Sequence, residues 1–110
     1  MIEVTYERKK KKLKLTVKGH ARSDEPGKDL VCAAASILVY TLAEDVSKLC
    51  DDKRRFRRPV IRISEGDSVI SCCPVHGMSS VTMLVFDSIC QGFGILESKY
   101  PEYIKFNVVG

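Results

Sequence analysis

The chain has 110 residues, of which 45% are hydrophobic and 29% charged, with a formal net charge of +4. These proportions are typical of one globular domain, here residues 1–110, and they exclude an intrinsically disordered chain. The longest apolar run, residues 30–42, is shorter than the ~20 residues that cross a bilayer, so no membrane partner is predicted. No secretory signal pattern opens the chain, and we expect a cytoplasmic protein.

The cysteine content bears on the redox state of the protein. Five cysteines are an odd number, and without a signal peptide they do not predict a disulfide framework. We therefore expect reduced thiols, and any of them could take part in chemistry. They are Cys32, Cys50, Cys72, Cys73 and Cys90.

The first half of the chain predicts two strands, a loop and a helix. Polar and apolar residues alternate over residues 2–6 and 13–17, which predicts two half-buried strands joined by a hairpin turn at 9–12. Residues 19–28 contain Pro26 and two glycines and predict a loop. Asp29 is predicted to cap a helix from Leu30 to about Leu49. The first half of that helix is apolar nearly all round, so we expect it to be deeply buried.

The second half predicts three more strands and a second helix. Strands are expected over residues 60–63 and 68–72 with a turn at 65–67, then a helix from 77 to about 98 and a final strand over 103–109. The order ββαββαβ, with two main helices, predicts a single mixed-sheet sandwich of the α/β (α+β) class. Two layers and three layers both fit this order.

One segment combines residue types that suit nucleophilic catalysis. Gly19-His20-Ala21 precedes the loop, and Cys32 follows Asp29 near the predicted helix start. A thiol there faces the positive end of the helix dipole, which favours the thiolate. His20 could accept the thiol proton and return it to a leaving amine, and free backbone N–H groups could stabilise an oxyanion. Asp29, Cys32 and Ser36 are spaced to share one helix face.

The same residues also have structural interpretations. A single cysteine in an apolar helix is more often part of a core, and a single histidine after a strand is more often structural. The co-placement of the two favours catalysis, although the residue pattern leaves both interpretations open. Ser36 is a polar side chain in a helix expected to be buried, so it should need a hydrogen-bond partner.

The pattern GHA–loop–DLVCAAAS at residues 19–36 resembles the ribosomal-processing cysteine protease family, also called Prp or YsxB-like. The resemblance extends to the first strand, the second helix, Tyr100-Pro101 and the closing strand. It implies that Cys32 is the nucleophile and His20 its base, with no cofactor. The supporting residues would be Gly19, Asp29 and Ser36. A mobile loop would close over substrate, formed by Arg22, Ser23, Asp24, Glu25, Pro26, Gly27 and Lys28.

The resemblance also implies a substrate and an assembly. Members of the family are homodimers that remove a short N-terminal extension from a bacterial large-subunit ribosomal protein. Two basic runs, residues 8–12 and 53–58, suit a position close to the ribosome or its RNA. The same runs favour an alternative function, that of a non-catalytic ribosome-associated binding protein.

A metal site is a further alternative. Cys72, Cys73 and His76 lie within five residues, and cysteine and histidine are the usual ligands of zinc. However, adjacent cysteines seldom chelate one tetrahedral ion, and no second pair of ligands completes the site. We therefore predict no metal.

Overall fold

A computed structural model describes residues 1–9, 12–19, 28–51, 56–74, 77 and 79–110. These residues form strands and helices in the predicted order ββαββαβ. The elements are β1 (Ile2–Lys9), β2 (Lys12–Lys18), α1 (Lys28–Leu49), β3 (Phe56–Ser64), β4 (Asp67–Pro74), α2 (Ser79–Lys99) and β5 (Ile104–Val109).

The strands form one mixed sheet in the order β3-β4-β2-β1-β5. The β1–β5 pair is parallel and the other pairs are antiparallel. This register gives the sheet two distinct ends. One end holds the starts of β1 and β5, the end of β2 and the β3–β4 turn. The opposite end holds the β1–β2 connection, the start of β3 and the end of β4.

Both helices pack on the same face of the sheet, so the architecture has two layers. On β1 the side chains of Ile2, Val4 and Tyr6 are buried, while Glu3 between them is exposed. This alternation is that of a strand with one face on the core and one face open. The core joins these side chains to Val31, Ala35, Val39, Leu42, Val46, Phe86, Ile89, Phe93 and Ile104. Each fully buried large side chain contributes roughly 1.5–3 kcal/mol.

Helix α1 is buried along one face only, so the prediction of burial nearly all round its first half is wrong. Val31, Ala35 and Val39 face the core, whereas Leu30 is 59% exposed and Ile37 is 64% exposed. A helix on one side of a sheet covers only the stripe that faces the sheet and its neighbouring helix. The described residues of the chain therefore leave the apolar side chains on the outer face of α1 uncovered.

Helix α1 also passes the length and hydropathy test for a membrane-crossing segment. Leu30–Leu49 has 20 residues with a mean hydropathy of 1.5. The prediction that no apolar segment is long enough therefore does not hold for this helix. One such helix is weak evidence, because the core helix of a soluble protein passes the same test. In this fold α1 packs against α2, β3 and β4.

Strand β3 begins at Phe56, earlier than the predicted start at Val60, and it includes Pro59. The register with β4 is irregular between Arg57 and Val60. Proline has no N–H to donate and is tolerated in edge strands and at bulges. The irregular register at the sheet edge thus explains why the strand continues through Pro59.

Candidate active site

Cys32 lies in a groove of about 470 Å³ between α1 and the end of the sheet that carries the β3–β4 turn. Cys32, Ser36 and Tyr40 line it from α1, at successive steps of four residues. The rest of the wall consists of Ile2, Val17, Gly19, Ala35, Val39, Ile63, Ser64, Glu65, Gly66, Asp67 and Ser68. The Cys32 side chain is half-buried. The groove walls around it carry both apolar and polar residues.

The predicted pairing of Cys32 and Ser36 on one helix face is correct, but the environment of Ser36 differs from the prediction. Ser36 is exposed and lines the groove. It therefore needs no buried hydrogen-bond partner. Its hydroxyl is available to a molecule that enters the groove beside Cys32.

Helix α1 begins at Lys28, one residue before the predicted cap Asp29. Asp29 is therefore the second helical residue, and Lys28 belongs to the helix and not to the loop. Cys32 becomes the fifth residue of α1, two residues further from the helix start than predicted. The helix dipole and the unpaired N–H groups act mainly over the first turn. Their effect on the Cys32 thiol is accordingly smaller than the sequence analysis assumed.

Gly19 is fixed opposite α1 by its backbone. Its N–H donates a hydrogen bond to the carbonyl oxygen of Gly66 at 3.0 Å. Its φ of +101° is in the left-handed region, and an added Cβ would collide with the Met1 carbonyl oxygen. Only glycine meets both constraints at this position. The structure thus brings Gly19 and Cys32 to one groove.

His20 is covalently bonded to Gly19, but it lies outside the described residues, together with 21–27. The predicted pairing of His20 with Cys32 and the predicted substrate loop at 22–27 therefore remain predictions. Of Asp29 the structure describes the backbone position in α1.

The β3–β4 turn is a wall of the groove that sequence reasoning missed. The Ser64 hydroxyl donates to the Asp67 carbonyl oxygen at 2.7 Å, and Gly66 adopts a φ of +75°. The Oδ1 atom of Asp67 is buried and has no hydrogen-bond partner. The turn itself was predicted, but its place beside Gly19 depends on the β2–β4 pairing, in which Lys18 lies opposite Asp67. No local sequence signal specifies that pairing.

Comparison with known proteins decides the family of the chain. The family model described as cysteine protease Prp matches residues 1–105. The chain belongs to the cysteine protease Prp family. The predicted enzyme class is thereby confirmed, since the protein is a cysteine protease.

Solved structures share the fold over almost the whole chain. SMU.848 from Streptococcus mutans superposes with a TM-score of 0.71 at 25% identity, covering 99% of this chain and 94% of that one. The ribosomal processing protease Prp from S. aureus, in complex with a covalently linked product peptide, gives a TM-score of 0.73 at 25% identity, covering 98% and 99%. The same S. aureus protease with a substrate peptide gives 0.73 at 23% identity, with the same coverage. No functionally curated protein matches the sequence.

The environments of the other thiols are less suited to a nucleophile. Burial raises the pKa of both Cys72 and Cys90 to about 12, and it also raises the pKa of Cys50. Thiols with such pKa values are almost fully protonated at neutral pH and react slowly. Cys73 lies on the face of the sheet opposite the helices, because neighbouring strand residues point to opposite faces. Among the five thiols, Cys32 is the one that lines the groove with Gly19.

The alternation of side chains along β4 also bears on the alternative interpretation, a metal site at Cys72, Cys73 and His76. Cys72 is buried in the core, and Cys73 is half-buried on the other face of β4, so the two thiols cannot bind one ion. Within the described part of the chain, no three His, Cys, Asp or Glu residues form a group that could hold a metal ion. His76 lies outside it.

A second cleft, of about 480 Å³, lies between α2 and the β1–β5 edge. Its polar wall includes Tyr6, whose hydroxyl donates to Asp87 Oδ1 at 3.0 Å, and the guanidinium of Arg8 lies 5.8 Å from the Tyr6 ring centroid. The thiol in its wall is Cys90, which is 5% exposed and has a pKa of about 12. This cleft is therefore a poor candidate for the protease site.

Proposed function

We propose that this protease removes a short N-terminal extension from a large-subunit ribosomal protein, with Cys32 as nucleophile and His20 as its base. The observation that carries the proposal is the groove that joins the Cys32 thiol to Gly19, the residue bonded to His20. The S. aureus relative is a ribosomal processing protease solved with a covalently linked product peptide. We extend that substrate class to this chain.

The proposed reaction is acyl transfer in two steps. The Cys32 thiolate attacks the scissile carbonyl carbon, and the resulting tetrahedral intermediate expels the amine, which takes a proton from the His20 imidazolium. Water, deprotonated by His20, then hydrolyses the thioester and frees Cys32. Backbone N–H groups in the first turn of α1 are the donors that suit the oxyanion. Gly19, Asp29 and Ser36 would support this pair, and residues 22–27 would cover the bound substrate.

We also propose that the enzyme works in the cytoplasm as a homodimer. The support for the dimer is the uncovered apolar face of α1, where Leu30, Ile37 and Tyr40 are all more than half exposed. Apolar side chains concentrated on one helix face are typical of surfaces that a partner covers.

The test is direct. The purified protein is incubated with a synthetic peptide that carries the extended N-terminus of a ribosomal protein, and the products are identified by mass spectrometry. We expect one internal cleavage, which the Cys32→Ser variant does not perform. The matched control is Cys73→Ser, which changes a half-buried thiol outside the groove and should cleave normally. Equal cleavage by both variants would contradict the assignment of Cys32.

A further inference from the structure

The basic residues of this chain are concentrated in two short runs. Residues 8–12 contribute five lysines and arginines and residues 53–58 contribute five more, so the two runs hold ten of the 18 in the chain. Each run by itself is compatible with a solvated turn. Their positions relative to each other depend on the order of the strands in the sheet.

The sheet register brings the described residues of both runs to the same end of the molecule. Lys9 pairs with Lys12 where β1 and β2 meet, and the next residue of β2, Leu13, lies opposite Cys72 of β4. Arg57 of β3 lies opposite Cys73, the following residue of β4. Residues 10–11 and 52–55 lie outside the described part of the chain. We call Arg8, Lys9, Lys12 and the start of β3 the basic end.

Helix α1 adds to the basic end. The Cys50 thiol just after α1 lies beside the Cys72 thiol, so the helix finishes beside the end of β4. The exposed Lys48 lies in its last turn. The acidic residues nearest in sequence are Glu7, which lies opposite Lys14 on β2, and Asp51 and Asp52, which precede the second run. Positive charge therefore predominates at this end.

The basic end is remote from the protease groove. The groove is built from Ile2, Gly19 and the β3–β4 turn at the opposite end of the strands. Strand β1 runs from Ile2 in the groove wall to Lys9 at the basic end. Its seven residue steps span about 23 Å. A polyanion held at the basic end would thus leave the groove open to a peptide.

We propose that the basic end is an RNA-binding surface that docks the protease on the phosphate backbone. Lysine and arginine side chains concentrated on one surface bind nucleic acid chiefly by displacing counterions, without reading its sequence. Arg8, Lys9 and Lys12 are all exposed, so their charged groups can reach phosphates. The choice of RNA over an acidic protein rests on the proposed function, because a protease that acts on ribosomal proteins works next to ribosomal RNA.

Fluorescence anisotropy with a labelled 20-nucleotide single-stranded RNA of mixed sequence tests the surface. The double variant Lys9→Glu/Lys12→Glu should bind at least tenfold more weakly than the wild-type chain. The control Lys99→Glu/Lys105→Glu reverses two exposed charges near the other end of the sheet and should bind within about threefold of wild type. Losing two phosphate contacts should also reduce the slope of log affinity against log salt by about 1.4. If RNA binding weakens equally in both variants, net charge alone determines the affinity, and the proposal is overturned.

Two further measurements separate this inference from the alternatives. If polyglutamate at equal charge competes as well as RNA, the surface is one for acidic proteins and the proposal fails. Cleavage of the free extended peptide should be the same in both variants and the wild type. A chain that binds RNA through the basic end but leaves the peptide intact would contradict the proposed function and support the docking surface. A chain that cleaves the peptide but does not bind RNA through the basic end would contradict the docking surface and leave the proposed function in place.

Discussion

The backbone N–H of Gly19 donates to the carbonyl oxygen of Gly66 at 3.0 Å, which ties the end of β2 to the β3–β4 turn. This one bond joins two segments that are far apart in sequence, and both line the groove that holds Cys32. The position of the residue before His20 therefore depends on the hairpin formed by β3 and β4. Changes at this contact should affect both stability and catalysis.

Gly19→Ala tests the contact. The left-handed φ of +101° and the collision of a Cβ with the Met1 carbonyl oxygen should lower the free energy of unfolding by roughly 1–3 kcal/mol. Urea denaturation measures this loss, and peptide cleavage should fall in the same variant. The control is Gly94→Ala in α2, where an added Cβ meets nothing within 4 Å and φ is not in the left-handed region. Alanine there should stabilise the protein by up to about 1 kcal/mol. A Gly19→Ala variant as stable as wild type would show that the backbone adjusts freely.

Selective alkylation tests whether Cys32 is the nucleophilic thiol. Iodoacetamide at pH 7 should modify Cys32 well before Cys72 and Cys90, because burial raises the pKa of both of these thiols to about 12. Peptide mapping by mass spectrometry identifies the labelled residue, and cleavage activity should disappear in proportion to label on Cys32. Full activity after complete labelling of Cys32 would remove it from the mechanism.

Only part of the groove could be predicted from the sequence. Residue patterns within one segment specify local structure, but they do not specify which strands pair. Cys32 and Ser36 share a helix face because helical spacing is local, and the structure confirms it. The wall formed by Glu65, Gly66 and Asp67 depends on which strands pair, and five strands can be ordered in many ways. Long-range pairing depends on how the whole core packs, which residue patterns within one segment do not specify.

The errors along α1 have similar causes. The apolar composition of its first half predicted burial all round, but burial depends on what covers each face, and no described residue covers the outer face. The cap at Asp29 was predicted from residue type, yet α1 begins at Lys28. Residue preferences locate a helix end only within a few positions.

The buried thiols predict how stability changes at alkaline pH. The folded-state pKa of Cys72 and Cys90 is raised from 9.0 to about 12, mainly because burial disfavours the charged form. Their contribution to stability is complete below pH 9.0 and is lost as pH rises toward 12. Urea unfolding at a series of pH values should show the loss. Cys90→Ala removes one of the two groups and should reduce the slope between pH 9 and 11. An unchanged slope in Cys90→Ala would mean that other groups cause the alkaline loss.

The outer face of α1 yields a prediction about assembly. Ile37 is 64% exposed and lies outside the wall of the groove, so Ile37→Glu adds a charge to the proposed dimer surface without touching Cys32. Burying an unpaired carboxylate between two copies is costly, and we expect the variant to be monomeric. Size-exclusion chromatography with light scattering measures the molecular mass. The control is Val60→Glu, which is 44% exposed on the edge strand β3, on the face of the sheet away from the helices. It should keep the wild-type mass. If wild type and Ile37→Glu are both dimers, the interface lies on another surface; if wild type is a monomer, the exposed face of α1 does not mediate self-association.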